Sequence, residues 1–312
     1  MSRTLQHGRW TAEHVLPLGA SGQAHVGDRV RAGDIVAWGV RMAAARRVAG
    51  ARKLGIAPSD LERQLRAPIG SEVSAKTVLA RVGRAFSRSV VSPIDGRLLH
   101  QTADGDLYIA PIVDRWAVRA TLDGDVTRSD DAVLTIEGEA WCVEGVAAYG
   151  PDAVGELTLG VDGPSVELAP ARLDVRLAGR IVIAGARLSA EVITRAHACG
   201  VAGLVAAGAP AAGLRVVYGE TVTASGAPTR EDRPSVLCLA GFGGAVMPDG
   251  LFASLAALAG VRAAINSSAS RLFVFAPAPH HTAEPEPALS DDDPRESGEG
   301  EPAADVPTSS AR

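Results

Sequence analysis

Apolar residues come in short runs along this chain, and the rhythm of those runs changes near Leu173. Before that point they sit in twos to fours between Gly, Asp, Ser and Pro, as in Ile35-Val36, Val78-Leu79, Leu107-Tyr108-Ile109 and Val133 to Ile136. That spacing predicts many short strands joined by tight turns. Beyond it, Ile181 to Ala184, Val201 to Val205 and Ser235 to Leu239 read as buried strands. Between the first two, Ser189 is placed to cap a helix through His197, with Val192, Ile193 and Ala196 on one face and Gly200 closing it. A second helix is expected from Pro248 or Asp249 to Ala259, followed by a strand over Val261 to Ile265. Strands alternating with helices predict a parallel or mixed sheet with right-handed crossovers.

An internal repeat organises the first half. Gly27 to Ala37 and Gly70 to Ala80 lie 43 residues apart and share Gly27/Gly70, Val30/Val73, Ala32/Ala75 and Ala37/Ala80. Glycine at the first position suits a turn with positive φ. A second pair follows: Asp95-Gly96 leading to Leu107-Ile109, and Asp123-Gly124 leading to Val133-Ile136. The expectation is that Val30 and Val73 belong to one closed β unit. Between the copies, the Ala- and Arg-rich stretch from Met42 to Arg52 predicts a helix. Ser59 with Glu62 three residues on predicts a capping box, with Leu61 and Leu65 on one helix face.

At these residues a resemblance enters. The G-x-x-V-x-x-G-x-x-[IV]-A pattern, with Val90-Val91-Ser92-Pro93-Ile94-Asp95-Gly96 downstream, resembles the barrel-sandwich hybrid motif. Biotinyl and lipoyl carriers share that fold, as do non-carrier proteins such as RNA polymerase large subunits and membrane electron-transport subunits. Carriers hold a lysine at an exposed hairpin tip, and only Lys53 and Lys76 exist here. Lys53 lies in a basic stretch and Lys76 replaces Gly33 of the other copy, so the resemblance implies a non-carrier module. Gly179 to Ala206 resembles, over a shorter span, protease-associated domains and the swivelling β/β/α fold.

The fold class expected is α+β: a β-rich barrel-sandwich hybrid module, a small α/β domain and a disordered acidic tail. The divisions are an N-terminal arm (1–14), a hybrid-like domain (15–112) with a helical insert (39–68), a β-rich connection (113–172), a swivelling-like domain (173–276) and the tail (277–312).

Charge and chemistry narrow the function classes. Net charge is −5, but from Pro279 to Arg312 nine acids face two arginines, which leaves the body near +2. No aromatic residue is interleaved with Arg41, Arg46, Arg47, Arg52 and Lys53 in sequence, so nucleic acid is not expected as a partner. Three cysteines, Cys142, Cys199 and Cys238, with no CxxC spacing, imply neither a disulfide framework nor a zinc site. The polar N-terminus and the lack of a long apolar run predict a cytoplasmic protein without a membrane span. His280-His281 lack further ligands nearby, so no metal or cofactor is expected.

The candidate ligand-binding residues are Gly208, Gly241, Phe242, Gly243 and Gly244. They lie at predicted strand ends, where an open α/β sheet favours ligands and backbone N–H groups can approach an anion. No catalytic motif is present. The leading expectation is therefore a non-enzymatic scaffold or ligand-binding protein with a protein or small anionic partner. The alternative is an enzyme or enzyme subunit binding an anionic small molecule or nucleotide at those glycines, with His197 or Glu220 as acid/base. Asp232 is a further loop carboxylate, and covalent modification at Lys76 or Lys53 is a third class.

Overall fold

The computed structural model describes residues 4–16, 20–83, 87–218 and 233–277, and residues up to 278 form one compact unit. The described residues are β-rich, with 44% strand against 17% helix, so backbone pairing rather than helix packing sets the architecture. The N-terminal half contains β1 (Gln6–Val15), β2 (Arg29–Val30) and β3 (Ile35–Met42), followed by β4 (Arg46–Val48), α1 (Gly50–Leu54) and α2 (Leu61–Gln64). It continues with β5 (Glu72–Val73), β6 (Val78–Val82), β7 (Arg88–Val91), β8 (Gly96–Gln101), β9 (Leu107–Ala110), β10 (Ile112–Arg119), β11 (Gly124–Ser129) and β12 (Val133–Glu144).

The two sequence copies do not close on each other. Val30 lies in β2, pairs with Gly124 of β11, and is buried among Val36, Leu122, Val126 and Ile136. Val73 lies in β5, pairs with Gly96 of β8, and is buried among Leu61, Leu79, Leu98 and Ile109. Each copy instead closes on its own Asp-Gly segment, and the local hydrogen bonds repeat partner for partner. Gly27 N–H donates to Val126 O at 2.8 Å, and Gly70 N–H to Leu98 O at 2.7 Å. Gly33 N–H donates to Ala120 O at 2.8 Å, and Lys76 N–H to Ser92 O at 2.7 Å. The carboxylates of Asp123 and Asp95 accept from the amides of Ala32 and Ala75, both at 2.7 Å. Gly124 and Gly96 also match, because a Cβ at either would collide with a backbone carbonyl, that of Glu137 or of Ala110.

These equivalences describe two similar units, one nested in the other. Residues 43–111 form the inner module, with a four-stranded sheet in the order β4-β9-β8-β5 and a β6–β7 ribbon. It interrupts the outer module between β3 and β10, which pair as an antiparallel ribbon. Ala43 N–H donates to Pro111 O at 2.9 Å where the chain enters and leaves.

Two local expectations are corrected here. The segment Met42 to Arg52 is the end of β3, then β4, and only Gly50–Leu54 is helical. Arg46 to Val48 pair with Leu107 to Ile109, and a sheet edge in need of a partner outweighs a preference of a few tenths of a kcal/mol per residue. Ser59 sits inside a 3-10 turn, Pro58–Asp60, so α2 starts at Leu61 without a side-chain cap, and Leu65 is already extended. The expected N-terminal arm is also a strand: all of β1 pairs with β12, from Gln6 opposite Cys142 to Val15 opposite Val133.

The second half continues the same sheet. It adds β13 (Ala147–Tyr149), β14 (Ala153–Leu159), β15 (Ile181–Ile183), α3 (Ala190–Ala198), β16 (Gly203–Ala209) and α4 (Ala211–Tyr218). After these come β17 (Ser235–Phe242), α5 (Asp249–Ala257), β18 (Arg262–Asn266) and β19 (Arg271–Val274). β15, β16 and β17 run parallel, as the alternating pattern predicts, and β14, which lies before that pattern begins, runs parallel to β15. β12 carries β1 along one edge, and β11 and β19 pair with it at different levels, which merges the halves into an eleven-stranded sheet. The sheet therefore runs uninterrupted past residue 173. Alternate residues face opposite layers. Val182, Leu204, Ala206 and Val236 pack with α3 and α4, while Ile183, Val205, Leu237 and Leu239 pack with α5.

Candidate functional site

The glycines singled out from sequence meet at the carboxyl ends of the parallel strands. Gly208 of β16 stands opposite Gly241 of β17, and Ala209 opposite Phe242. Gly208 has to be glycine, since a Cβ would fall 2.9 Å from Gly243 O and 3.0 Å from Gly241 O. Gly241 and Gly243 have φ of +116° and +100°, which turn the chain out of β17. Gly208 donates to Ala186 O and accepts from Leu188 N–H, both at 3.0 Å, and Gly243 N–H donates to Ala209 O at 3.3 Å. These backbone groups tie strands together instead of pointing at open space. Gly244 has open space about it, and Phe242 is exposed, with its ring 6.2 Å from that of Tyr149.

The other candidates do not converge there. His197 is in the last turn of α3, whereas the Ser189 cap opens that helix. At 1.5 Å per residue the two ends are about 12 Å apart. Lys53 is in the last turn of α1, and Lys76 occupies an exposed turn with φ +70°. Glu220, Asp232, His280 and His281 lie outside the described residues. Burial pushes the thiols of Cys142 and Cys238 up to about 12, which keeps them protonated and poor nucleophiles at neutral pH. Among the described residues, no group of three His, Cys, Asp or Glu could hold a metal ion. No described helix is long and apolar enough to cross a membrane.

One polar chain escaped the sequence reading. His14 is 2% exposed, and its Nδ1 lies 3.0 Å from Asp152 Oδ2. Its Nε2 accepts the Thr121 N–H at 3.3 Å and lies 3.4 Å from Thr121 Oγ1. Because a backbone amide can only donate, the imidazole proton belongs on Nδ1 and goes to Asp152. Asn266 Nδ2 donates to Thr121 Oγ1 at 2.9 Å, and Ser267 N–H to Asp152 Oδ1 at 2.8 Å. Carboxylate, imidazole and hydroxyl follow the order of a hydrolytic triad. Thr121 is fully buried, however, so no substrate carbonyl reaches its hydroxyl. The chain instead fastens β1, the turn before β11, and the segments flanking β14 and β18. His14 and Asp152 are 138 residues apart, and no local motif announces them.

Two polar grooves occupy matching places in the nested modules. One, of about 500 Å³, is lined by Arg9, Arg29, Arg31, Asp123, Glu137 and Glu139. The other, of about 300 Å³, is lined by Glu72, Ser74, Asp95, Ile112 and Arg115. In the second, Glu72 bridges Arg97 of β8 and Arg115 of β10, which ties the inner module to its ribbon. The Arg115 hydrogen bond, aided by Arg97, holds the Glu72 carboxyl below its ordinary value of 4.5, against an opposing contribution from burial. Both grooves mix acidic and basic groups, and neither selects a ligand by charge.

A scan against protein-family models, a search of curated proteins and a search of solved structures each found no match.

Proposed function

We propose that the protein is a non-enzymatic presentation scaffold, in which a rigid sheet holds out a small barrel-sandwich hybrid module for a partner to bind. The observation that carries this reading is the nested insertion. Residues 43–111 have their own hydrophobic core, built of Val48, Leu54, Leu61, Leu79, Leu98 and Ile109 among others, and leave the outer module through the β3–β10 ribbon. Repetition of the Gly-Val and Asp-Gly hydrogen bonds in both modules supports assigning both to the hybrid type. The engaged backbone groups of Gly208 and Gly243 and the buried Thr121 weigh against the enzyme alternative.

The test is to incubate the purified protein with a complex metabolite extract and follow its composition by mass spectrometry. No time-dependent, protein-dependent consumption is expected. Reproducible turnover of any component would overturn the scaffold reading. Intact mass of protein from its native host is expected to show nothing added to the sequence mass, since neither Lys53 nor Lys76 has the sequence context of a carrier lysine. An added biotinyl or lipoyl mass would restore the carrier class.

A further inference from the structure

Burial closes Thr121 to any substrate from solution, but one carbonyl group of the chain itself lies against it. Thr121 Oγ1 accepts a hydrogen bond from Asn266 Nδ2 at 2.9 Å, and both residues are fully buried. The second Nδ2 proton goes to Glu13 O at 3.3 Å. Asn266 Oδ1 accepts from Ala269 N–H at 2.8 Å. A backbone amide only donates, so this contact fixes which end of the carboxamide is oxygen. Ser268 Oγ lies 2.9 Å from the same oxygen and 3.0 Å from Glu13 O, so its one hydroxyl proton can turn to either.

These contacts supply what the Asp152–His14–Thr121 chain lacks, an electrophile within reach. Because Thr121 Oγ1 accepts from Asn266, its own proton is available to His14 Nε2 at 3.4 Å. Nε2 carries the lone pair, since Nδ1–H is committed to Asp152 at 3.0 Å. Base, hydroxyl and carboxamide follow one another, and two donors face the carboxamide oxygen as in an oxyanion hole.

We propose that the protein cross-links itself here, forming an ester between Thr121 and Asn266 with release of ammonia. The hydrogen bond holds Oγ1 near the amide plane, so the reaction begins with a turn of the Asn266 side chain that presents Cγ to Oγ1. Oγ1 attacks Cγ while its proton passes to His14 Nε2. The electron pair displaced from the C=O bond rests on Oδ1, facing Ala269 N–H and Ser268 Oγ–H. Asp152 steadies the imidazolium. The imidazolium then gives its new proton to Nδ2 and the Cγ–Nδ2 bond breaks. Ammonia leaves past Ser268 and Ala269, which are exposed. Nothing is oxidised or reduced, and no co-reactant enters. A carboxamide is a poor electrophile, and confinement of both reactants in one buried site offsets that. The rival loss of ammonia is ring closure of Asn266 on the Ser267 nitrogen. It is opposed because that N–H is held by Asp152 Oδ1 at 2.8 Å. The ester would bolt the turn before β11 to the end of β18, across 145 residues of chain.

The test is intact mass of the full chain, freshly purified and after several days at neutral pH, followed by proteolysis and tandem mass spectrometry. The parent is expected to become lighter than its sequence by one ammonia, with the Thr121 and Asn266 peptides recovered as one joined species. Thr121→Val, which removes the nucleophile, should keep the full sequence mass. Thr121→Ser, which keeps a hydroxyl, should still lose ammonia. His14→Gln, which retains a donor and an acceptor, should slow the loss about a hundredfold. Chemical denaturation of each variant separates lost chemistry from lost folding. An unchanged parent mass after incubation overturns the inference, as does recovery of the two peptides unjoined. Ammonia loss that persists in folded Thr121→Val would also overturn it and assign the loss to ring closure at Ser267. The substrate is the chain itself, so these outcomes are distinguishable from failure of the scaffold reading, which falls on metabolite turnover.

Discussion

Lys76 shows how a single residue reports on the repeat. It occupies the turn position that Gly33 holds in the outer module, and both have positive φ, +70° and +100°. A left-handed backbone costs an L-residue about 1–2 kcal/mol, partly offset in glycine by greater unfolded-state freedom. Lys76→Gly is therefore expected to stabilise the protein by about 0.5–1 kcal/mol, read as a higher denaturant midpoint at unchanged slope. An unchanged or lowered midpoint would show that the lysine side chain makes a compensating contribution. His14 makes the opposite case. Replacing it with leucine removes the donor to Asp152 and the acceptor for Thr121 N–H. A loss of about 2–4 kcal/mol is expected from stranding buried polar groups, again measured by chemical denaturation. Position 76 was legible because its context is copied 43 residues earlier. The His14–Asp152 pair was not, since it is created by the packing of segments distant in sequence.

Elements were legible where local pattern and tertiary demand agree. The β15-α3-β16 unit follows the reading from Arg180 to Val205, down to the Ser189 side chain accepting from Val192 N–H at 3.2 Å. They were misread where the two conflict: Arg46 to Val48 favour a helix by composition but complete the edge of a sheet. The short β5 depends on its charged neighbours, which gives it a pH signature. The Glu72 carboxyl is held below its ordinary 4.5 chiefly by Arg115. A depressed carboxylate contributes stability in full above its unfolded value, and that contribution disappears as pH falls through the folded value. The difference in denaturation midpoint between the parent and Glu72→Gln is therefore expected to be widest near neutral pH. It should narrow as the pH is lowered past the ordinary glutamate value of 4.5. A gap that does not narrow on acidification would assign the effect to something other than this carboxylate. At the strand ends, Gly208→Ala must push a methyl against the Gly243 and Gly241 carbonyls. A cost of about 1–3 kcal/mol is expected, with the strain confined to β16 and β17.

At the scale of the whole molecule, the sequence displayed the duplication but not its nesting. A 43-residue offset is equally compatible with two halves of one barrel or with two barrels, and only the pairing partners decide. Each Gly-Val segment meets the Asp-Gly segment that closes its own module, Gly96 for Val73 and Gly124 for Val30. Native-state hydrogen exchange should then resolve the amides of Val73, Leu79, Leu98 and Ile109 as one cooperative set, separate from those of Leu122, Val126, Leu134 and Ile136. A single shared opening free energy for both sets would contradict two independent cores. Nesting also dictates a timetable on the ribosome. The opening strand, Gln6 to Val15, must wait for Val133 to Cys142 to emerge before it gains its mate. By then residues 43–111 have all been synthesised and can collapse on their own. The part synthesised in the middle is thus able to fold first, while a strand made before it waits for a mate made after it.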